Sequence, residues 1–246
     1  MPSGPQALRP DERRVVEALL TAYRQGAFPM ASSRTSDEVA FYTADPRAII
    51  PVAPDDPLGR FHVPRSLQRR VRSRRFTITC DAAFERVILA CADAPRPQGE
   101  STWINDQIIV AYSLLHRAGH AHSVEAWLPE NGVHAPGTQP PGPGWRLVGG
   151  LYGTHLGGAF FGESMFARTD LGGTDASKVC LVHLVAHLRS RGITLLDTQF
   201  ANDHTRRFGL VEIPLADYLR RLEAAVSTPA AWGTFQADPG DTPRTG

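Results

Sequence analysis

Residues Leu147–Met165, LVGGLYGTHLGGAFFGESM, constrain this chain more than any other stretch, because two apolar runs flank the pair Gly157-Gly158. Glycine tolerates the positive φ that a two-residue hairpin turn demands, so the spacing predicts strand, tight turn, strand. The runs are apolar enough to be buried, and the rest of the chain reads as elements arranged around them. The second strand delivers Gly162-Glu163-Ser164-Met165 directly after Phe160 and Phe161. A carboxylate in such a segment needs a partner or a chemical role. Either Glu163 is satisfied by backbone or an arginine, or it belongs to a site.

With 246 residues, 42% of them hydrophobic, the chain can bury one ordinary core, or one and a half. Apolar residues at helical spacing over Asp11–Gln25, closed by Gly26, predict an opening amphipathic helix. After a turn at Ala27–Met30 come short extended pieces, Val39–Tyr42 and Ala48–Val52, separated by Asp45-Pro46-Arg47. These give a small N-terminal lobe, residues 1–58, ending in the Pro/Asp-rich link Pro54–Gly59. Beyond it, Phe76–Cys80 reads as a strand and Ala82–Ala92 and Asp106–Arg117 as helices. Ala121–Leu128 reads as a strand antiparallel to the hairpin, by the preference of sequential strands for each other. Glu130–Gly144 is too rich in Pro and Gly to be anything but a loop. Past the hairpin, Thr174 or Asp175 N-caps a helix running to Arg191. Ile193–Phe200 is a buried strand that carries Asp197 and Gln199 on one face. A turn presents Asn202, Asp203 and His204, and Leu210–Ile213 and the helix Leu215–Ala225 complete an α+β chain. The first ten residues and everything from Ser227 onward are expected to be poorly ordered.

Charge is unevenly spread. Arg60–Arg75 holds seven arginines and no acid in a chain of net charge +1. Arg65, Arg69 and Arg72 share one helical face. Such a strip is either a solvated surface or a seat for a polyanion, whose phosphates match the guanidinium fork. The N-terminus of the helix after the hairpin, with Ser177 and Lys178, is a second place for a phosphate or sugar hydroxyl. Three widely spaced cysteines offer neither a disulfide framework nor a zinc pair and fit a reducing compartment. With no apolar run of membrane-spanning length and no signal segment, a soluble cytoplasmic protein is expected. His116, His120, His122, His183 and His187 have ligand-compatible spacings but lack a third ligand type, so no metal is expected. Gly149-Gly150-x-x-Gly153 lies in a strand, outside the context of a dinucleotide fingerprint. Ser164 lacks a nucleophile elbow.

Several motifs occur in register: AYRQGAFPM at Ala22–Met30, DPR at Asp45–Arg47, TWI at Thr102–Ile104, and AY-x-x-LH-x-x-GHAHSVE-x-W at Ala111–Trp127. LVGGLYG and FFGESMF follow in the hairpin, then ASK at Ala176–Lys178 and D-x-Q-x-x-NDH at Asp197–His204. In this order and spacing, from about Ala22 to Leu222, the chain resembles the leucyl/phenylalanyl-tRNA–protein transferase family. The resemblance implies transfer of leucine or phenylalanine from aminoacyl-tRNA to the N-terminal amine of proteins beginning with arginine or lysine, in the N-end-rule route of degradation. Methionine is a further candidate donor. It also implies an acyl-CoA N-acyltransferase-like (GNAT-like) domain, residues 59–226, with a mixed, largely antiparallel sheet flanked by helices, working without CoA or any other cofactor, as a monomer. Residues 227–246 would be a tail. The chain departs from the family where FPW becomes Phe28-Pro29-Met30 and WWSP becomes Phe41-Tyr42-Thr43-Ala44. It also lacks GLLA-x-GGDL and has a longer loop at Glu130–Gly144.

An aminoacyl ester is already activated, so transfer needs positioning, removal of a proton from the attacking amine and stabilisation of an oxyanion. Asp197 and Gln199 are the catalytic candidates: the aspartate would hydrogen-bond the Gln199 amide so that its carbonyl accepts from the amine, and Asp197→Asn would spare the fold. Glu163 and Asn202 are candidates for the acceptor. Tyr42, Trp103, Leu151, Phe160, Gly162, Leu181 and Leu188 are candidates for the donor side chain, and Arg65, Arg69, Arg72 and Lys178 for tRNA. Two rivals remain. A CoA-dependent N-acetyltransferase needs a pyrophosphate turn whose spacing Arg168–Gly173 misses by one residue. A non-catalytic RNA-binding module leaves Glu163, Asp197 and Gln199 unexplained.

Overall fold

The computed structural model describes residues 8–95, 101–130, 132 and 139–236. In chain order the elements are α1 (Pro10–Arg24), β1 (Phe28–Ala31), β2 (Val39–Tyr42), β3 (Arg47–Pro51), α2 (Arg65–Arg72), β4 (Thr77–Cys80), α3 (Phe84–Ala92) and α4 (Asp106–Arg117). They continue with β5 (Ala121–Pro129), β6 (Trp145–Leu156), β7 (Ala159–Ala167), α5 (Ala176–Ser190), β8 (Leu195–Gln199), α6 (Asp203–Arg206), β9 (Val211–Ile213) and α7 (Leu215–Ser227). Seven strands form one sheet in the order β4-β5-β6-β7-β8-β3-β9, and β1 pairs with β2 apart from it. Every pairing in the large sheet is antiparallel except β7 with β8. The mixed, largely antiparallel α+β sheet expected from the sequence is therefore present.

The central hairpin is β6–β7, and Gly157 turns it with φ +57°. A side chain there would be strained and would also meet the Val226 carbonyl at 2.4 Å, because the turn rests on the end of α7. Two apolar clusters cover the sheet. One joins α1, α3, α4 and α7 through residues such as Leu20, Ile88, Tyr112 and Leu222. The other gathers α2 and α5 through Leu67, Cys180, Leu184 and Leu188. α5 is buried on nearly every side, which explains why it is apolar almost all the way round.

Three expectations need correction. Ala27–Met30 is mostly strand: its Pro and flanking Gly suggested a turn, but β1 is only a two-stranded ribbon, where Pro29 is tolerated. The extended piece assigned to the N-terminal lobe, β3, lies inside the large sheet between β8 and β9. The segment after Ser227 is anchored as far as residue 236: Trp232 is buried and stacks on His122 with ring centroids 4.0 Å apart. Residues 237–246 and the first seven lie outside the described residues, as do positions 131 and 133–138 of the loop. The neck of that loop is closed by the Glu130 N–H donating to the Gly144 carbonyl at 2.8 Å.

Candidate active site

The candidate residues Glu163, Asp197 and Gln199 meet where β7 and β8 part. Their parallel pairing runs only from Ala159↔Leu195 to Phe161↔Asp197, and each strand is bulged just beyond that point. On β7, Gly162 pairs with Gly153 and Ser164 with Tyr152, so Glu163 is an extra residue without a partner in the ladder. On β8, Asp197 pairs with Ile49 and Gln199 with Ala48, which leaves Thr198 as the extra one. A bulge bends its strand and re-aims the side chains around it. Gly153 makes the first bulge feasible, since a Cβ there would lie 2.2 Å from the Phe161 carbonyl oxygen. Gln199 leaves the second in the left-handed region at φ +55°, a conformation that non-glycine residues adopt at a cost.

Asp197 is fully buried and sits in an ion pair that sequence reading missed. Arg47, at the start of β3 and also fully buried, donates from Nε to Oδ1 at 2.9 Å and from Nη2 to Oδ2 at 2.6 Å. Its Nη1 donates to the Gly26 carbonyl at 2.8 Å, and its guanidinium lies over the rings of Phe28 and Tyr218. The Tyr218 hydroxyl, from α7, donates to Oδ2 at 2.7 Å. Asp197 does reach Gln199, but through the backbone: the Gln199 N–H donates to Oδ1 at 2.9 Å. The expected bond between the carboxylate and the Gln199 amide is absent. With the amide oriented to satisfy its surroundings, its nitrogen donates instead to the carbonyls of Gly162 at 2.9 Å and Thr198 at 3.0 Å. Both donors of the NH2 group are thereby used, and the carbonyl oxygen is left as an acceptor.

Glu163, opposite, is partly buried and leans on tyrosines from two helices. The Tyr23 hydroxyl of α1 donates to Oε1 at 2.5 Å, and Tyr23 in turn shares a hydrogen bond with Tyr112 of α4. Burial pushes the Glu163 carboxyl up to about 8; the charge of Asp197 adds to this, while the tyrosine hydrogen bonds and Arg47 oppose it. Burial, followed by the charge of Glu163, raises both Tyr23 and Tyr112 well above the usual phenol range. At about 8, the Glu163 carboxyl leans to its protonated form at neutral pH. An arriving cation would draw it toward the ionised form.

The other candidates are distributed as follows. Leu151, Phe160, Leu181 and Leu188 are buried together in the apolar cluster beneath α5, and Gly162 lies at the first bulge. Trp103 packs against the opposite cluster, and Tyr42 is exposed on β2, across from Phe28. Those two are not brought into the α5 cluster. Asn202 caps α6, its Oδ1 accepting the Thr205 N–H at 2.9 Å. Arg65, Arg69 and Arg72 are exposed along α2, where Arg72 donates only to Gln68 among the described residues. Lys178 is paired with Asp175 at 2.8 Å, and Asp175 occupies the N-cap position of α5 without a side-chain capping bond. Of the histidines, His122 is paired with Asp81 and His116 with the Ala121 carbonyl. Arg47, Tyr218, Tyr23 and Tyr112 were not singled out as site residues. The available signal was an arginine opening the apolar run Ala48–Val52, which must be neutralised if that run is buried.

A family model described as leucyl/phenylalanyl-tRNA protein transferase matches residues 57–223, and one described as the N-terminal domain of that protein matches residues 16–45. Proteins named leucyl/phenylalanyl-tRNA–protein transferase are similar in three organisms. The one from Paramagnetospirillum magneticum is 50% identical over 88% of this chain and 90% of its own length. That from Gloeobacter violaceus is 47% identical over 87% and 94%, and that from Hyphomonas neptunium 46% identical over 87% and 73%. Among solved structures, FemX is similar over 84% of this chain and 70% of its own, at 14% identity and a TM-score of 0.47.

Proposed function

This chain belongs to the leucyl/phenylalanyl-tRNA–protein transferase family, and from that premise we propose that it transfers leucine or phenylalanine from aminoacyl-tRNA to the N-terminal α-amine of cytoplasmic proteins beginning with arginine or lysine, directing them to N-end-rule degradation. The observation that carries the reading is the parting of β7 and β8. An acid with a raised pKa, Glu163, stands on one lip, and an amide whose carbonyl is left as an acceptor, Gln199, stands on the other.

In the reaction, the amine nitrogen attacks the ester carbonyl carbon, the bond from that carbon to the ribose oxygen breaks, and the amine proton leaves with the ribose oxygen or through water. The ester supplies the activation, and the protein supplies orientation and charge. The Gln199 carbonyl accepts an N–H of the attacking amine and so orients its lone pair. Glu163 receives the cationic side chain of the acceptor's first residue, and Asn202, three residues beyond Gln199 in the chain, is the second acceptor-binding candidate. Leu151, Phe160, Leu181 and Leu188, with Gly162 at the adjoining bulge, hold the donor side chain; Trp103 and Tyr42 lie apart from that cluster and are not assigned to it. Arg65, Arg69, Arg72 and Lys178 meet the tRNA phosphates.

The test uses the purified protein with charged Leu-tRNA or Phe-tRNA and labelled peptides beginning with Arg, Lys or norleucine, and in parallel with acetyl-CoA. The expected result is aminoacyl transfer to the Arg and Lys peptides, with the norleucine peptide a poor acceptor. Acetyl transfer from acetyl-CoA without transfer from tRNA would replace this reading with the acetyltransferase one.

A further inference from the structure

We propose that Arg47 and Tyr218 are positioning residues for the transfer reaction, fixing Asp197 so that it can act only on the backbone of Gln199 and thereby aim the Gln199 carbonyl into the cleft. The inference rests on the reading that Gln199 touches the attacking amine.

The carboxylate of Asp197 has about four lone-pair positions, and all are occupied. Oδ1 accepts from Arg47 Nε and from the Gln199 N–H, both at 2.9 Å, and Oδ2 accepts from Arg47 Nη2 at 2.6 Å and from the Tyr218 hydroxyl at 2.7 Å. A carboxylate so filled, and closed to solvent, has nothing left for substrate. Its one contact that leads toward the cleft is the Gln199 N–H. That contact holds Gln199 at φ +55°, where the backbone would otherwise relax, and the Gln199 amide nitrogen then clamps the Gly162 carbonyl across the gap between β7 and β8.

Stability alone does not account for this arrangement. A fully buried ion pair costs desolvation that apolar residues of the same volume would avoid. Here the arginine is also enclosed between the rings of Phe28 and Tyr218, with its charge centre 4.7 and 4.5 Å from their centroids. Such rigid support behind a residue that must be placed accurately is what preorganisation requires. It also couples three distant parts of the chain, β3, β8 and α7, to one amide.

Tyr218→Phe is the decisive variant, because it keeps the ring over Arg47 and removes one donor from Asp197. Arg47→Lys, which replaces the fork by a point charge, is the more severe companion. Single-turnover transfer from Leu-tRNA to an Arg-peptide should fall about 10- to 100-fold in Tyr218→Phe, the range usual for outer-shell partners. The half-saturating peptide and tRNA concentrations should stay within about twofold, as expected for an interaction expressed in the transition state. If the effect passes through Gln199, the double variant Tyr218→Phe/Gln199→Ala is no slower than Gln199→Ala alone. A folded Tyr218→Phe protein with the normal rate overturns the proposal. So does one that slows Gln199→Ala by its full factor, since Tyr218 would then act elsewhere. A normal rate in Gln199→Ala itself overturns the underlying reading of Gln199, a distinguishable failure.

Discussion

Replacing Glu163 by glutamine tests the electrostatic account of the site. In the folded chain burial, with help from Asp197, holds this carboxyl up at about 8 against an ordinary value of 4.5; in the unfolded chain it titrates at the ordinary value. Below that value both states carry the proton, and the group does not affect stability. From there up to about 8 the unfolded state has released its proton and the folded state has not. Stability therefore falls as pH rises, by about 1.4 kcal/mol per pH unit for a fully enclosed group. Glu163 is only partly enclosed, so solvent trims the slope, and about 2 kcal/mol between roughly pH 5.5 and pH 7.5 is the expected contribution. Glutamine has no such proton. Urea unfolding of both proteins across this range should show the difference in unfolding free energy moving in favour of Glu163→Gln by about that amount. Glu125, which burial raises to about 7, titrates in both proteins and cancels in the difference. A difference that stays constant with pH would refute the claim that the folded site keeps Glu163 protonated. The same linkage applies to binding: an Arg-peptide entering at neutral pH should release protons in the parent protein, read as a buffer-dependent heat, and should release fewer in the variant.

Two further outcomes follow from the geometry. Reversing Arg65, Arg69 and Arg72 to Glu should weaken tRNA binding and flatten its dependence on salt, because each lost phosphate contact removes about one released counterion; an unchanged affinity across a salt titration would show the strip to be a solvated surface. Asp197→Asn, which sequence reasoning expected to spare the fold, should instead cost about 3–5 kcal/mol by leaving Arg47 buried without its counter-charge, and urea unfolding at the parent midpoint would contradict this.

The hairpin was legible because its signals are local: two apolar runs, and a glycine pair whose first member does take a positive φ. The bounds of α4 were legible for the same reason, since Asn105 caps it by accepting the Ile108 N–H. What lay hidden depended on partners far along the chain. Nothing near Arg47 indicates that its counter-charge is Asp197, or that β3 pairs with β8 and β9 rather than with the strands just before it. The alternation on β8 correctly placed Asp197 and Gln199 near each other, yet period-2 reasoning assumes a regular strand. The extra residue Thr198 between them and the left-handed Gln199 break that assumption. The bulge at Glu163 escaped for the same reason, because register is a property of two strands and the sequence displays them one at a time. Trp232 was read as part of a weakly ordered tail by composition, which does not register that a single indole can find a stacking partner on β5.

The order of the sheet explains how N-terminal residues come to hold a strand a hundred and more positions later. β8 is held by β7 over only three residue pairs, and the pairing stops at Asp197. From there to Gln199 its remaining neighbour is β3, whose pairing Ala48↔Gln199 lies beyond the last contact with β7. The parting from β7 on one side of β8 is thus compensated by a full partner on the other. A strand left unpaired on both edges would carry unsatisfied backbone groups and too little constraint to keep a glutamine in the left-handed region. β3 supplies the hydrogen bonds, and Arg47 at its first position supplies the charge that fixes Asp197. Both lie between the two segments, 16–45 and 57–223, that the family models match. The setting of β8 consequently depends on a seam that neither segment contains by itself, and the placement of Gln199 is a property of the assembled sheet rather than of the strand that bears it.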